Sequence, residues 1–433
     1  MKNAIGQSAR ALLVAAALAM GVSALGASAP EPQRPVIASP QTDAIAPVGA
    51  IGPARQTLSP LPLQPEDTPW PTQAWSVAPM PAAADPQNVA RLMADAETGR
   101  TPFLEATRAV LVVQGGRLVY ERYAPGFGPD TRFLSWSVAK SVTHALVGAA
   151  AARGLLNPDA GMGHRRWAVS DPRSAITWRQ WLQMTDGLLQ NETAAVTLAS
   201  NSAAVMFFGK NRTDAMGFAT QLPLGYRPGT RWNYSTAGIT LAADALTERT
   251  APGAPAHERR AAMRRFMREA LFAPIGMNSA QPEFDAQGAF LGGGFVWATA
   301  QDYARFGLLY LRDGVWDGQR IFPPGWVDFA RTPVQGSGAD TYGAGFWLTP
   351  ETGTGTPSRA LIAGRNPADA FSAQGRDGQV ILIVPSQDLV IVRLGLLGGG
   401  REGWNALGDW LAALVQSFPA APQARTSQPR SAT

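Results

Sequence analysis

Phe133-Leu134-Ser135-Trp136-Ser137-Val138-Ala139-Lys140-Ser141 is the stretch whose reading decides the fold. Within it Ser137 and Lys140 stand three residues apart. A helix beginning near Ser135 or Trp136 puts positions i and i+3 on one face, so the hydroxyl and the amine meet. Such a pair is the arrangement in which an amine activates a serine nucleophile. The positive end of the helix adds to this by favouring a deprotonated serine and a neutral lysine. Lysine usage sharpens the point. Of 37 Lys plus Arg only Lys2, Lys140 and Lys210 are lysines, leaving 34 (37 − 3) arginines. In a chain so biased toward arginine, a surviving lysine marks a position that arginine does not serve. An amine loses its proton when desolvated, whereas a guanidinium stays charged. Ser135 and Ser141 flank the pair, but neither has a lysine three residues on.

Two further stretches join it. Trp232-Asn233-Tyr234-Ser235-Thr236 follows Pro228-Gly229-Thr230 and offers a phenol that shuttles protons between serine, lysine and a leaving group. Phe371-Ser372-Ala373-Gln374-Gly375-Arg376-Asp377-Gly378-Gln379 precedes an apolar strand. Glycine at a strand edge lets backbone approach a ligand closely, and a free N–H there completes an oxyanion hole with the N–H of Ser137. Taken singly, each stretch also has an ordinary reading: a chance Ser-x-x-Lys, a half-buried tyrosine, a tight turn. Histidine supplies no rival mechanism. Only His144, His164 and His257 occur, and His144, seven residues beyond Ser137, lies about 10 Å away on a helix, which makes it a packing residue. No His/Asp/Glu cluster has metal-ligand spacing, and no cofactor is implied. Gly292-Gly293-Gly294 lacks the following Lys-Ser/Thr of a phosphate loop and is expected at the cleft edge.

Bulk properties bound the rest. With 433 residues, 45% hydrophobic and 16% charged, the chain buries one large core or two smaller ones. A net charge of +5 is modest and the basic residues are scattered. The densest group, Arg259, Arg260, Arg264, Arg265 and Arg268, reads as a solvated helix face, so no nucleic-acid partner is expected. Lys2 and Arg10, the apolar run from Ala11 to Leu25 and Ala27-Ser28-Ala29 read as a signal peptide over 1–29. The run is too short for a stable membrane span once cleaved. The expected location is the periplasm or the exterior of a bacterium. Cysteine is absent, so the core alone must hold the fold.

Residues 30–84 are rich in proline and are expected to form a linker, its end pinned by Trp70 and Trp75. The catalytic body is expected at 85–417 and a disordered tail at 418–433. Inside the body, 109–113 and 118–121 around Gly115-Gly116 read as a β-hairpin. A mostly helical zone follows over about 137–330. Strands return at 345–348, 379–384 and 389–394, and a closing helix at about 402–418. The predicted class is α+β: one antiparallel sheet built from both termini, flanked by helices, with an inserted mainly helical domain. A cleft between two such lobes is a natural site.

In this order, Ser-x-x-Lys, a tyrosine element about a hundred residues on and a Gly-bearing late strand are similar to the serine β-lactamase-like superfamily. The chain resembles most its branch of class C β-lactamases, related esterases and nylon-oligomer (6-aminohexanoate-dimer) hydrolases. The stretches 176–188 (ITWRQWLQMTDGL), Gly292 to Phe295, 299–307 (TAQDYARFG) and 342–347 (YGAGFW) carry the same resemblance, which covers about 100–415. It implies a β-lactamase/transpeptidase-like fold, Ser137 as the acylated nucleophile, Lys140 as its proton partner and Tyr234 as the proton relay. The Lys-Thr-Gly element of the family falls on Ala373-Gln374-Gly375, which gives Arg376 the second oxyanion N–H, with Gly375 and Thr236 beside the substrate. Two departures matter. Thr236 stands where the Tyr-x-Asn element has Asn, and Ala373 has replaced the lysine whose charge holds a β-lactam carboxylate, a contact worth about 1.5–3 kcal/mol. Asp186 stands where relatives often carry Ser and reads as a turn or cap residue. The sequence therefore predicts an exported serine hydrolase acting on a small ester or amide. A DD-peptidase or β-lactamase and a non-catalytic binding module on the same scaffold are the alternatives.

Overall fold

The computed structural model describes residues 58–192, 200–337, 341–350, 361 and 365–421. The expected signal peptide and most of the expected linker and tail lie outside these residues. In chain order the main elements are α1 (Pro86–Glu97), β1 (Thr107–Gln114), β2 (Arg117–Tyr123), β3 (Arg132–Leu134), α2 (Val138–Ala152), α3 (Trp178–Leu182), α4 (Ser202–Phe207), α5 (Ala215–Ala219), α6 (Thr236–Thr250) and α7 (Ala256–Met267). They continue with β4 (Gln281–Pro282), β5 (Val296–Thr299), α8 (Ala300–Leu311), β6 (Val315–Trp316), β7 (Gln319–Arg320), α9 (Trp326–Arg331), β8 (Trp347–Leu348), β9 (Phe371–Gly375), β10 (Gln379–Val384), β11 (Leu389–Gly395) and α10 (Gly400–Gln416).

Among the described residues the main sheet has the order β2-β1-β11-β10-β9-β8 and is antiparallel throughout. The N-terminal hairpin thus pairs with the last strand, as expected. Gly115 and Gly116, at φ 59° and 71°, make the two-residue turn that the right-handed strand twist favours. Both faces are covered, which is why β10 reads as an unbroken apolar run rather than an alternating one. Val110, Val112, Leu382 and Ile391 pack with Val89, Leu92, Leu407 and Leu411 of α1 and α10. Each such side chain contributes about 1.5–3 kcal/mol when fully buried. On the other face α8 rides directly on the sheet at Gly307, where a Cβ would sit 2.6 Å from Val390 Cγ1 and 2.8 Å from Ile381 Cγ2.

α2 runs through the interior, buried on every side from Val138 to Ala150. Its alanines and glycine allow this: Gly148 packs on the Trp326 indole, which donates to His144 O at 3.3 Å. His144 is a packing residue, as expected. Its Nδ1 is 2.7 Å from Tyr310 Oη and its ring stacks on Trp326, while burial lowers its pKa to about 3.

Three expectations change in detail. Arg259 is not on a solvated face: it is 3% exposed and pairs with Asp244 and Glu248 beside His164, because the buried Asp244 carboxylate needs counter-charges. Residues 58–84 are laid along the body: Ser76 and Ala78 exchange backbone bonds with Leu118 and Arg305 donates to Pro71 O at 2.7 Å, while the pinning Trp70 lies against Trp316 in a tilted contact at 5.0 Å. At the other end Phe418 is buried in the core and Ala421 N donates to Ser386 O, so the tail leaves the body later than expected. Among the described residues no helix is long and apolar enough to cross a membrane.

Candidate active site

Ser137 caps α2, and the backbone before it is held in place. Ser135 N donates to Val296 O at 2.8 Å, Val296 N donates to Ser135 Oγ at 3.0 Å, and that hydroxyl donates to Trp136 O at 2.9 Å. Trp136 then adopts φ 45°, the left-handed region, where a bulky residue is strained. This turn projects Ser137, partly exposed, from the start of a buried helix.

Lys140 lies one turn on and is 1% exposed. Its Nζ donates to Ser137 Oγ at 2.9 Å and to Gly293 O at 2.6 Å. The glycine run is required there. A Cβ on Gly293 would be 2.5 Å from Thr240 Oγ1 and 2.8 Å from Thr236 Cγ2. The Lys140 Nζ also stands 4.9 Å from the centre of the Tyr234 ring. Tyr234 is fixed by aromatic neighbours: its ring stacks on Trp347 at 5.7 Å and meets Tyr342 edge-on at 6.1 Å, with Trp232 beside all three. A second aromatic group, Trp136, Phe207, Phe208 and Phe295, gathers around the residue preceding Ser137. One aromatic group thus meets the Lys140 amine through Tyr234, and the other surrounds Trp136, the residue before Ser137.

β9 closes the site. Ala373 pairs with Ile381, whose side chain lies on the α8 face, so Ala373 and Gly375 point toward α2. A Cβ on Gly375 would be 3.1 Å from Trp136 Cβ and 3.2 Å from Ser137 N, and would overlap Ser135 O outright. Only glycine lets the strand end meet the nucleophile's amide this closely. Arg376 follows directly and begins a short turn; its guanidinium is 39% exposed and 3.8 Å from Asp377 Oδ1. The structure therefore brings together Ser137, Lys140, Tyr234 and Gly375. It places Thr236 differently. Thr236 is 4% exposed, its hydroxyl donates to Glu192 Oε2 at 2.6 Å, and its amide donates to Glu192 Oε1.

Glu192 went unnoticed in the sequence because it belongs to none of the motifs; its one signal is that it is the sole acidic residue between Asp186 and Asp214. Burial pushes its pKa up, and the nearby Lys140 charge opposes that most, followed by the Thr236 hydroxyl and amide. Asp186 is a turn residue in part: its Oδ1 accepts from Leu188 N at 2.8 Å. Among the described residues its Oδ2 is buried without a hydrogen-bond partner, and desolvation raises its pKa to about 7.

A helix-capping serine bonded to a buried lysine, set between a two-termini antiparallel sheet and a helical lobe, defines the β-lactamase/transpeptidase-like class of fold. The β-lactamase family model matches residues 103–395, more than half of the chain, and the protein belongs to that family of serine hydrolases. It is 28% identical over 318 residues to a 6-aminohexanoate-dimer hydrolase of Paenarthrobacter ureafaciens, covering 69% of this chain and 76% of that protein. Among solved structures, a putative 6-aminohexanoate-dimer hydrolase from Bacillus anthracis superposes with a TM-score of 0.60 at 20% identity, over 81% of this chain and 90% of that one. A penicillin-binding protein homolog from Caulobacter crescentus superposes with a TM-score of 0.52 at 16% identity, over 78% and 99%. These two likenesses bear on the fold alone.

Proposed function

We propose that the protein is an exported serine hydrolase that cleaves a small ester or amide through an acyl-enzyme on Ser137. The observation that carries this reading is the 2.9 Å contact between Ser137 Oγ and the Nζ of a lysine that is 1% exposed. Neutral Lys140 takes the Ser137 proton as Oγ attacks the carbonyl carbon, while Gly293 O keeps the amine aimed at the hydroxyl. The developing oxyanion is received by the N–H groups of Ser137 and Arg376, brought together by Gly375. Collapse breaks the C–N or C–O bond, and the proton passes to the leaving group by way of Lys140 and Tyr234. The same pair deprotonates the water that releases the acid and returns the proton to Ser137 Oγ.

The substrate follows from what lines the cleft. The two aromatic groups favour an apolar acyl or amine chain. Position 373 holds a buried alanine, and the nearest basic side chain on that strand end, Arg376, stands beside Asp377. A carboxylate grip of the kind β-lactams require is therefore weak, which favours esters and linear amides. The kinship with a 6-aminohexanoate-dimer hydrolase supports an amide substrate. The test is a panel of p-nitrophenyl esters, linear amides and nitrocefin, with fluorophosphonate labelling and Ser137→Ala as control. Turnover of esters or amides that vanishes in Ser137→Ala is expected. Full activity in that variant overturns the reading, and efficient nitrocefin turnover moves it to the β-lactamase alternative.

A further inference from the structure

We propose that Glu192 is a positioning residue of this site: through Thr236 it holds the Tyr234 turn and the packing behind the Gly293 carbonyl that aims Lys140. The inference rests on the acyl-enzyme reading above. Its first support is geometric. The Tyr234 turn is stitched to the segment 184–192 along its length. Asn233 N donates to Met184 O at 3.0 Å, Gln190 Nε2 donates to Tyr234 O at 2.6 Å, and Asn233 Nδ2 donates to Gln190 O at 3.3 Å. Glu192 ends the seam by accepting both donors of Thr236, the first residue of α6. A carboxylate at a helix N-terminus accepts from the otherwise unsatisfied amides and is stabilised by the helix dipole.

The second support is the route from Glu192 to the nucleophile. Thr236 packs on Gly293, whose carbonyl accepts from Lys140 Nζ. Two residues, Thr236 and Gly293, thus link Glu192 to the lysine. Thr236 explains itself in the same way. Where the family pattern has Asn, this chain carries a hydroxyl donor, and that donor is spent on Glu192 rather than on substrate. The charged and titratable groups near Glu192 are Lys140 from α2, Asp186 from the 184–188 turn and the Tyr342 phenol.

The test uses the full-length protein and the best p-nitrophenyl ester from the panel. Glu192→Gln is expected to lower kcat at least about tenfold with KM nearly unchanged. Thr236→Val, which removes only the hydroxyl donor, should also lower kcat with KM nearly unchanged, and Thr236→Ser, which keeps that donor, should restore most of it. A wild-type kcat in Glu192→Gln overturns the proposal, as does a rate loss that merely tracks the fraction of sites titrated by fluorophosphonate. Should Glu192→Gln not fold, a Thr236→Val with wild-type kcat, or a Thr236→Ser no better than Thr236→Val, overturns it equally. A wild-type protein that fluorophosphonate does not label refutes the serine-nucleophile reading itself, and is distinguishable from all of these.

Discussion

Gly375→Ala tests how the late strand serves the nucleophile. The added methyl would stand 3.1 Å from Trp136 Cβ and overlap Ser135 O. Carbon atoms at rest are about 3.5–4.0 Å apart, so the strand end must retreat by about 0.5 Å or more. The opposing atoms cannot yield easily. Ser135 is bonded on both sides to Val296, and Trp136 is already in a strained left-handed conformation. The retreat therefore falls on β9 and spreads Arg376 N from Ser137 N. Losing one oxyanion donor costs about 10²–10³ in kcat, and a misplacement near 1 Å costs about 10². We expect kcat on a p-nitrophenyl ester to fall by about 10² or more, with KM nearly unchanged. Fluorophosphonate should still label Ser137, though more slowly, because Ser137 and Lys140 keep their contact. The assay is steady-state kinetics with labelling rates on protein whose melting temperature matches wild type. A Gly375→Ala enzyme with wild-type kcat refutes the oxyanion assignment at 375–376.

Lys140→Arg keeps the charge but not a removable proton, so turnover should drop at least about 10²–10⁴-fold and fluorophosphonate labelling should cease; near-normal labelling would remove Lys140 from proton transfer. Asp186 offers a stability test by pH. Its folded pKa of about 7 lies above the usual 3.8, so the native state holds a proton that the unfolded chain releases between those values. Stability from this group is complete below pH 4 and is lost as pH rises toward and past 7, by up to about 4 kcal/mol at 1.36 kcal/mol per pH unit. Asp186→Asn keeps the acceptor for Leu188 N. Its melting temperature should exceed that of wild type at pH 8 by more than it does at pH 5, and equal differences at the two pH values would refute the buried-acid assignment.

Much of this was legible in the sequence because it rests on local spacing. Ser137 and Lys140 are three residues apart, and an α-helix fixes their contact whatever surrounds it. The hairpin at Gly115-Gly116 and the strands 379–384 and 389–394 announce themselves through turn chemistry and strongly apolar composition. Only the tertiary structure decided the rest, because those contacts join residues with no regular spacing. Glu192 reaches Thr236 across 44 residues and Gly293 reaches Lys140 across 153, and neither belongs to a periodic pattern. Arg259 looked like surface charge on α7 until Asp244 on α6 was found beneath it. The proline-rich stretch 58–84 reads as a spacer by composition, yet backbone bonds to Leu118 and the Arg305 bond to Pro71 O lay it along the body. The sequence determined which amine meets which hydroxyl, since that is set within one helical turn. The fold decided what holds that amine and how close the strand comes, since those depend on chain segments that meet only when the core is packed.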